Sequence, residues 1–247
     1  MKKWFIGGAV VFFALNMVSC GKKEASPEKK EVAKVFVFRP PAKKQDHYFS
    51  EGTPSRAIQD LDDHLDSYVL NAKTPEEKQY NLDLKRALVH GTFDMHELCR
   101  LALDKHWKEI GPAQQDSFVD LMTRLLEKKA VFSKEQGQKT QGPSKSLYSI
   151  VYEGDVYLGS DKTLALSKST VHIPSESLKI EIQYKLKKMA EGWRIYDVVV
   201  DGASLLNNYK YQFDKIIAKE GYPTLVHRME SKLKDLDAGE TNPKEAS

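Results

Sequence analysis

The sequence predicts an α+β fold in which helices before and after one antiparallel sheet pack against it. Two changes in the spacing of apolar residues support this prediction. Apolar residues recur every three to four positions up to about residue 130, every two positions from about residue 147, and at helical spacing again after residue 204. The 247 residues, of which 40% are hydrophobic and 30% charged, argue against a collagen, a coiled coil or a disordered chain.

The N-terminus has the pattern of an export signal. Lys2 and Lys3 precede an apolar stretch over residues 4–16, and small residues lead to Cys20. This order predicts a signal peptide over residues 1–19. The stretch is shorter than the roughly 20 residues that a membrane-spanning helix needs. The closing Met17-Val18-Ser19-Cys20 resembles a bacterial lipobox, in which the cysteine is acylated; a plain signal peptide with a chance cysteine is the alternative.

We therefore expect a periplasmic protein anchored to a membrane through Cys20. Gly21 after the cysteine favours the outer membrane. Residues 20–55 are rich in Lys, Glu, Pro and Ser and predict a tether. The apolar run over residues 35–38 either belongs to this tether or adds an edge strand to the domain.

Most of the positive charge lies outside the predicted domain. Of the formal +3, residues 2 and 3 contribute +2 and residues 21–44 contribute +5, which leaves −4 for the rest of the chain. A nucleic-acid-binding protein has its positive field on the folded domain, so this distribution argues against nucleic acid as a partner.

Four amphipathic helices are predicted between residue 56 and about residue 130. The first covers residues 56–70. Thr74, Pro75 and Glu77 form a capping box that starts the second, which ends at Gly91. Asp94 caps the third, and the fourth begins at residues 111–112. The apolar faces contain Ile58, Leu61, Leu65, Tyr68, Tyr80, Leu84, Leu88, Met95, Leu98, Ala102, Trp107, Phe118, Leu121, Met122, Leu125 and Leu126.

Four strands are predicted over residues 147–157, 163–173, 178–187 and 193–200, and the short turns between them imply an antiparallel, twisted sheet. In the third strand, Leu178, Ile180, Ile182, Tyr184 and Leu186 share one face, so that face needs an apolar cover. Residues 201–202 end the sheet. Two helices then close a domain over residues 56–236, and residues 237–247 form a polar tail.

The sequence contains no pattern typical of an enzyme or a metal site. His96-Glu97 lacks the second histidine of H-E-x-x-H, and the common nucleophile and phosphate-binding motifs are missing. Cys99 lies on an apolar helical stretch, where a free cysteine is usually a small buried hydrophobe. We therefore expect no catalytic residues, no metal and no cofactor.

One segment resembles the signature of a known family. Residues 193–213, WRIYDVVVDGASLLNNYKYQF, are similar to the MlaC family, also called toluene-tolerance auxiliary proteins. The similarity extends to Ile216, Ile217, Gly221 and Leu225, and a second similar segment contains Phe93, Asp94, Leu98, Arg100, Leu103, His106 and Trp107. Lys210 stands where the family commonly has Arg, and Asp104 where it often has Gly.

This resemblance implies a mixed cystatin-like and nuclear-transport-factor-like fold that encloses an apolar pocket. It also implies a phospholipid carrier of an Mla-type transport system, which maintains outer-membrane lipid asymmetry and solvent resistance. Its partners would be phospholipid, an outer-membrane lipoprotein complex and an inner-membrane ABC transporter complex.

The candidate pocket residues come from the apolar stripes and the signature. They are Leu121, Leu125, Ala130, Leu178, Ile180, Ile182, Tyr184, Val198, Val200, Ala203, Leu206, Tyr209 and Phe213. For each of them, plain core packing is the alternative, because burial and ligand contact use the same side chains. Two other functions stay open: an envelope lipoprotein that binds proteins without a lipid ligand, and a hydrolase, for which no nucleophile and base pair is found.

Overall fold

A computed structural model describes residues 47–65, 67–69, 72–129, 149–173 and 177–241. The predictions for the signal peptide, Cys20, the run 35–38 and Ala130 lie outside these residues. The elements, in chain order, are α1 (Pro54–Leu65), α2 (Pro75–Thr92), α3 (Met95–Leu103), a 3-10 helix (Asp104–Lys108), α4 (Pro112–Lys129), β1 (Ser149–Leu158), β2 (Leu164–Ile173), β3 (Leu178–Met189), β4 (Gly192–Val200), β5 (Ala203–Ser204), α5 (Leu205–Glu220) and α6 (Tyr222–Thr241). The α+β class is confirmed.

The predicted helix caps form as expected. The side chain of Thr74 accepts a hydrogen bond from the amide of Glu77 at 3.2 Å, and the Glu77 carboxylate accepts one from the amide of Thr74 at 3.1 Å. Asp94 accepts a hydrogen bond from the amide of Glu97 at 2.9 Å at the start of α3. These bonds satisfy amides that would otherwise lack a partner in the first helical turn.

The first and last helices differ from their predicted bounds. The helix α1 begins at Pro54 and ends at Leu65, where a turn with a hydrogen bond from the Ser67 amide to the His64 carbonyl replaces the helical pattern. Tyr68 is nevertheless buried, which explains why it matched the apolar period. The helix α6 continues to Thr241, and within this extension Asp237 forms an ion pair with Lys128 on α4 at 3.0 Å.

The sheet is antiparallel with the strand order β1-β2-β3-β4-β5. The four predicted strands are confirmed to within two residues at each end. The described sheet has a fifth strand, so the prediction of four strands is corrected. After a tight turn at Asp201 and Gly202, both with positive φ, the two residues Ala203 and Ser204 fold back beside the end of β4.

Helices pack on the sheet in two groups. The helix α1 lies against β1, β2 and β4, whereas α2, α3 and α5 reach the sheet at β4. The helices α4 and α6 pack mainly on other helices. The segment before α1 is fixed as well, because the Gln59 side chain hydrogen-bonds the backbone of both His47 and Phe49.

Candidate functional site

The inner face of the sheet forms one wall of the candidate site. Ile180, Ile182 and Tyr184 alternate along β3 and are buried, as the period of two predicts. Tyr184 lies opposite Val198 in β4, and Val198 is buried too. These four predicted residues therefore form a continuous buried surface across two strands.

The other buried candidates lie on α5, which packs on β4 and β5, and on α4, which packs mainly on other helices. Leu121 and Leu125 are buried on α4, and Leu206, Tyr209 and Phe213 are buried on α5. The ring of Phe118 on α4 meets the ring of Phe213 edge-on, with centroids 5.7 Å apart. These residues belong to the hydrophobic core of the domain together with the buried sheet residues. Of the predicted set, Ala203 is not part of this core and Ala130 lies outside the described residues.

The predicted residues become more exposed towards the end of β4. Ile182 is 2% exposed, its cross-strand partner Val200 is partly buried, and Ala203, which pairs with Val200, is exposed. Leu178 is also partly buried. The buried surface thus reaches solvent at the turn between β4 and β5. Ala203 contacts a ligand only if that ligand extends to this edge.

A buried carboxylate joins the sheet to α5. Asp197 in β4 accepts hydrogen bonds from the Ser204 hydroxyl at 2.8 Å and from the Leu206 amide at 3.0 Å. The Lys185 ammonium lies 2.9 Å from the same carboxylate. Ser204 in turn accepts a hydrogen bond from the Asn207 amide. We call Asp197, Lys185, Ser204 and Leu206 the Asp197 cluster; it fixes where α5 begins.

The inner face of the sheet also contains a polar region that the spacing of apolar residues did not predict. The Ser55 hydroxyl on α1 donates to Asp155 at 2.7 Å and lies 3.0 Å from the Ser167 hydroxyl. Ser169, two residues along β2, hydrogen-bonds the Tyr184 hydroxyl. The signal in the sequence is the spacing of Ser167 and Ser169, which share the face of the buried Ala165. The face is therefore polar beside α1 and apolar towards α5.

The Cys99 thiol and the His106 imidazole, which both lie near α5, have shifted pKa values. Burial raises the pKa of the Cys99 thiol well above its usual value, so Cys99 is a protonated, buried side chain as predicted. Burial alone would lower the pKa of His106, but hydrogen bonds with Glu109 at 2.8 Å and Asp214 at 3.0 Å outweigh it and raise that pKa. Through Asp214, His106 attaches the 3-10 helix to α5.

Two other kinds of site are absent from the described part of the chain. No three His, Cys, Asp or Glu side chains there are grouped as metal ligands. None of the helices in those residues is both long enough and apolar enough to cross a bilayer.

Comparison with known proteins gives three findings. The sequence model of the MlaC protein family matches residues 59–231, a range that contains every candidate pocket residue. A phospholipid-binding protein from Ralstonia solanacearum, solved in complex with a phospholipid, has a similar fold, with a TM-score of 0.51 and 22% sequence identity. That match covers 66% of this chain and 88% of the other. No curated protein matches the chain.

Proposed function

The chain belongs to the MlaC family, and we propose that it binds a phospholipid between its sheet and its helices and carries it through the periplasm. The acyl chains occupy the apolar part of the interior, towards α5. The head group stays at the edge where β4 and β5 meet. In this role the protein needs no catalytic residue, because it moves a lipid without changing it.

The energetics of lipid transfer explain why such a carrier is needed. The two acyl chains of a phospholipid have on the order of 30 methylene groups, each worth about 0.8 kcal/mol on leaving water, so unassisted transfer faces a barrier near ~24 kcal/mol. A protein that encloses the chains removes most of this barrier. It must present an apolar interior and keep that interior open to one edge.

The observation that best supports this proposal is the graded exposure along the paired positions Ile182, Val200 and Ala203. Apolar side chains continue here from the buried cluster to the surface, so a ligand held in the interior would reach solvent at this edge. The backbone turn at Asp201 and Gly202 lies at the same edge. This is the arrangement that a pocket mouth requires.

The proposed partners are an outer-membrane lipoprotein complex and an inner-membrane ABC transporter complex of the Mla type, and the proposed outcome is the maintenance of outer-membrane lipid asymmetry. Acylation of Cys20 anchors the protein to a membrane, with the outer membrane favoured. The family membership and the lipobox-like Met17-Val18-Ser19-Cys20 support this assignment.

Lipid analysis of the purified protein tests the binding proposal. A soluble form that begins at Gly21 is purified from a bacterial periplasm without detergent, and its organic extract is analysed by mass spectrometry. We expect about one or two phospholipids per protein. Lipid-free, stable protein that takes up no lipid from vesicles would favour the other candidate function, a protein-interaction module with a filled core.

A separate experiment tests the anchor. Cys20→Ser in the full chain removes the acylated side chain, so we expect the protein to move from the membrane fraction to the soluble periplasmic fraction. Cys99→Ser serves as the matched control, because that thiol is buried within the domain. If the wild type and Cys20→Ser are found in the membrane fraction in the same proportion, Cys20 is not an anchor.

A further inference from the structure

The hydroxyl of Tyr209 is a buried polar group without a hydrogen-bond partner among the described residues. Tyr209 is 0% exposed, and none of the described residues forms a hydrogen bond with its hydroxyl oxygen. Cys99 lies close enough to affect the pKa of Tyr209, yet no hydrogen bond joins the two side chains. Buried hydroxyls in folded proteins almost always have a partner, because losing water without replacement costs free energy.

The ring of Tyr209 lies among other aromatic side chains. Tyr209 stacks on Phe213 with ring centroids 5.5 Å apart, Phe213 meets Phe118 at 5.7 Å, and Phe118 meets Tyr222 at 6.2 Å. We call these four residues the aromatic cluster. It extends from buried Tyr209 to Tyr222, which is partly exposed at the start of α6. The cluster belongs to the same hydrophobic core as the candidate pocket residues.

The electrostatic environment limits what the hydroxyl can bind. Burial is the main cause of the raised pKa of Tyr209, and Cys99 is the other group that contributes. No described lysine or arginine contributes to this shift. A phosphate placed here would be a buried charge without a cation, which is strongly unfavourable. A neutral acceptor is required, and the phenol is a good donor to one.

The geometry points to Tyr209 as the residue that donates a hydrogen bond to an ester carbonyl of the bound phospholipid. This inference rests on the proposed function. Ester carbonyls are neutral acceptors that join directly to the acyl chains, so the same apolar interior that holds the chains also brings a carbonyl to Tyr209. Tyr209 then distinguishes diester lipids from diether lipids, which have the same chains but lack both carbonyls.

The test compares two variants of the full chain that make the same chemical change on the same helix. Tyr209→Phe removes the buried hydroxyl, and Tyr211→Phe, at a side chain that is 66% exposed, is the matched control. Each protein is stripped of lipid and incubated with vesicles of diester or diether phosphatidylethanolamine. The lipid recovered with the protein is then measured, and the unfolding midpoint is determined without lipid.

We expect the wild type and Tyr211→Phe to prefer the diester lipid by about three- to tenfold, the effect of one hydrogen bond. Tyr209→Phe should lose this preference while its lipid-free unfolding midpoint stays the same or rises, because an unpaired buried hydroxyl is removed. Equal uptake of both lipids by the wild type, or an unchanged diester preference in Tyr209→Phe, would overturn the inference and leave the proposed function intact. If the wild type takes up neither lipid, both are overturned.

Discussion

The carboxylate of Asp197 in β4 accepts a hydrogen bond from the backbone amide of Leu206 at 3.0 Å, so the sheet itself holds the first turn of α5. Ser204 satisfies the next amide, that of Asn207, at 3.0 Å. Two amides in the first turn of α5, which have no acceptor within the helix, thus donate to side-chain oxygen atoms of β4 and β5. The negative charge of Asp197 also lies at the helix end that favours an anion.

Two substitutions of Asp197 should destabilise the protein to different extents. Asp197→Ala leaves the Leu206 amide, the Ser204 hydroxyl and Lys185 without their shared acceptor, so we expect a loss of about 3–5 kcal/mol in the free energy of unfolding. Asp197→Asn keeps an oxygen for one donor and should lose less. Urea denaturation measures both, with Glu191→Gln in the exposed β3–β4 turn as the control. Equal stability of Asp197→Ala and the wild type would show that the cluster does not hold α5.

A charge at the proposed pocket mouth should reduce lipid binding without unfolding the protein. Ala203 is exposed, so Ala203→Glu buries no charge in the lipid-free state and should change the free energy of unfolding by less than about 0.5 kcal/mol. The lipid recovered with the purified variant should fall severalfold, because the carboxylate lies where the chains enter. Val156→Glu, at an exposed position on β1, is the control. If the two variants retain equal lipid, the mouth does not lie at Ala203.

The hydrogen bonds of His106 should make stability depend on pH. Its folded-state pKa is raised above 6.5, so its protonated form is favoured by folding. This contribution is therefore complete below about pH 6.5, the unfolded value, and is lost as the pH rises through the folded pKa. His106→Asn should be less stable than the wild type at pH 6, and the difference should shrink towards pH 8.5.

Urea denaturation at several pH values measures this dependence, and His227→Asn, at an exposed position on α6, is the control. A stability difference between wild type and His106→Asn that stays constant from pH 6 to pH 8.5 would rule out the titration of His106 as its cause.

The polar region beside α1 should contribute to stability through Ser55. Ser55→Ala removes the hydrogen bonds to Asp155 and Ser167, which are both parts of the sheet, so we expect a loss of about 1–3 kcal/mol. Ser117→Ala makes the same change at an exposed position, where the hydroxyl donates to the Ala113 carbonyl one turn earlier in the same helix. The control should stay within about 0.5 kcal/mol of the wild type. Thermal unfolding distinguishes the two, and similar midpoints would mean that Ser55 makes no net contribution.

The sequence by itself determined the order of helices and strands, the helix caps at Thr74 and Asp94, and the inward face of β3. Each of these depends on residues within about four positions of one another, through hydrogen bonds to neighbouring amides or through the side-chain period of a strand. The match of residues 193–213 to the family signature likewise depends on one continuous stretch of sequence.

Only the tertiary structure decided which side chains meet across the fold. Ser55 and Ser167 are 112 residues apart in sequence, and the partners of Asp197 come from β3, β5 and α5. The fifth strand and the exposure of Ala203 also follow from packing. So does the Tyr209 hydroxyl, which has no hydrogen-bond partner in the described part of the chain. The spacing of apolar residues identifies a buried face, but the distances between distant segments decide which polar atoms on that face have partners.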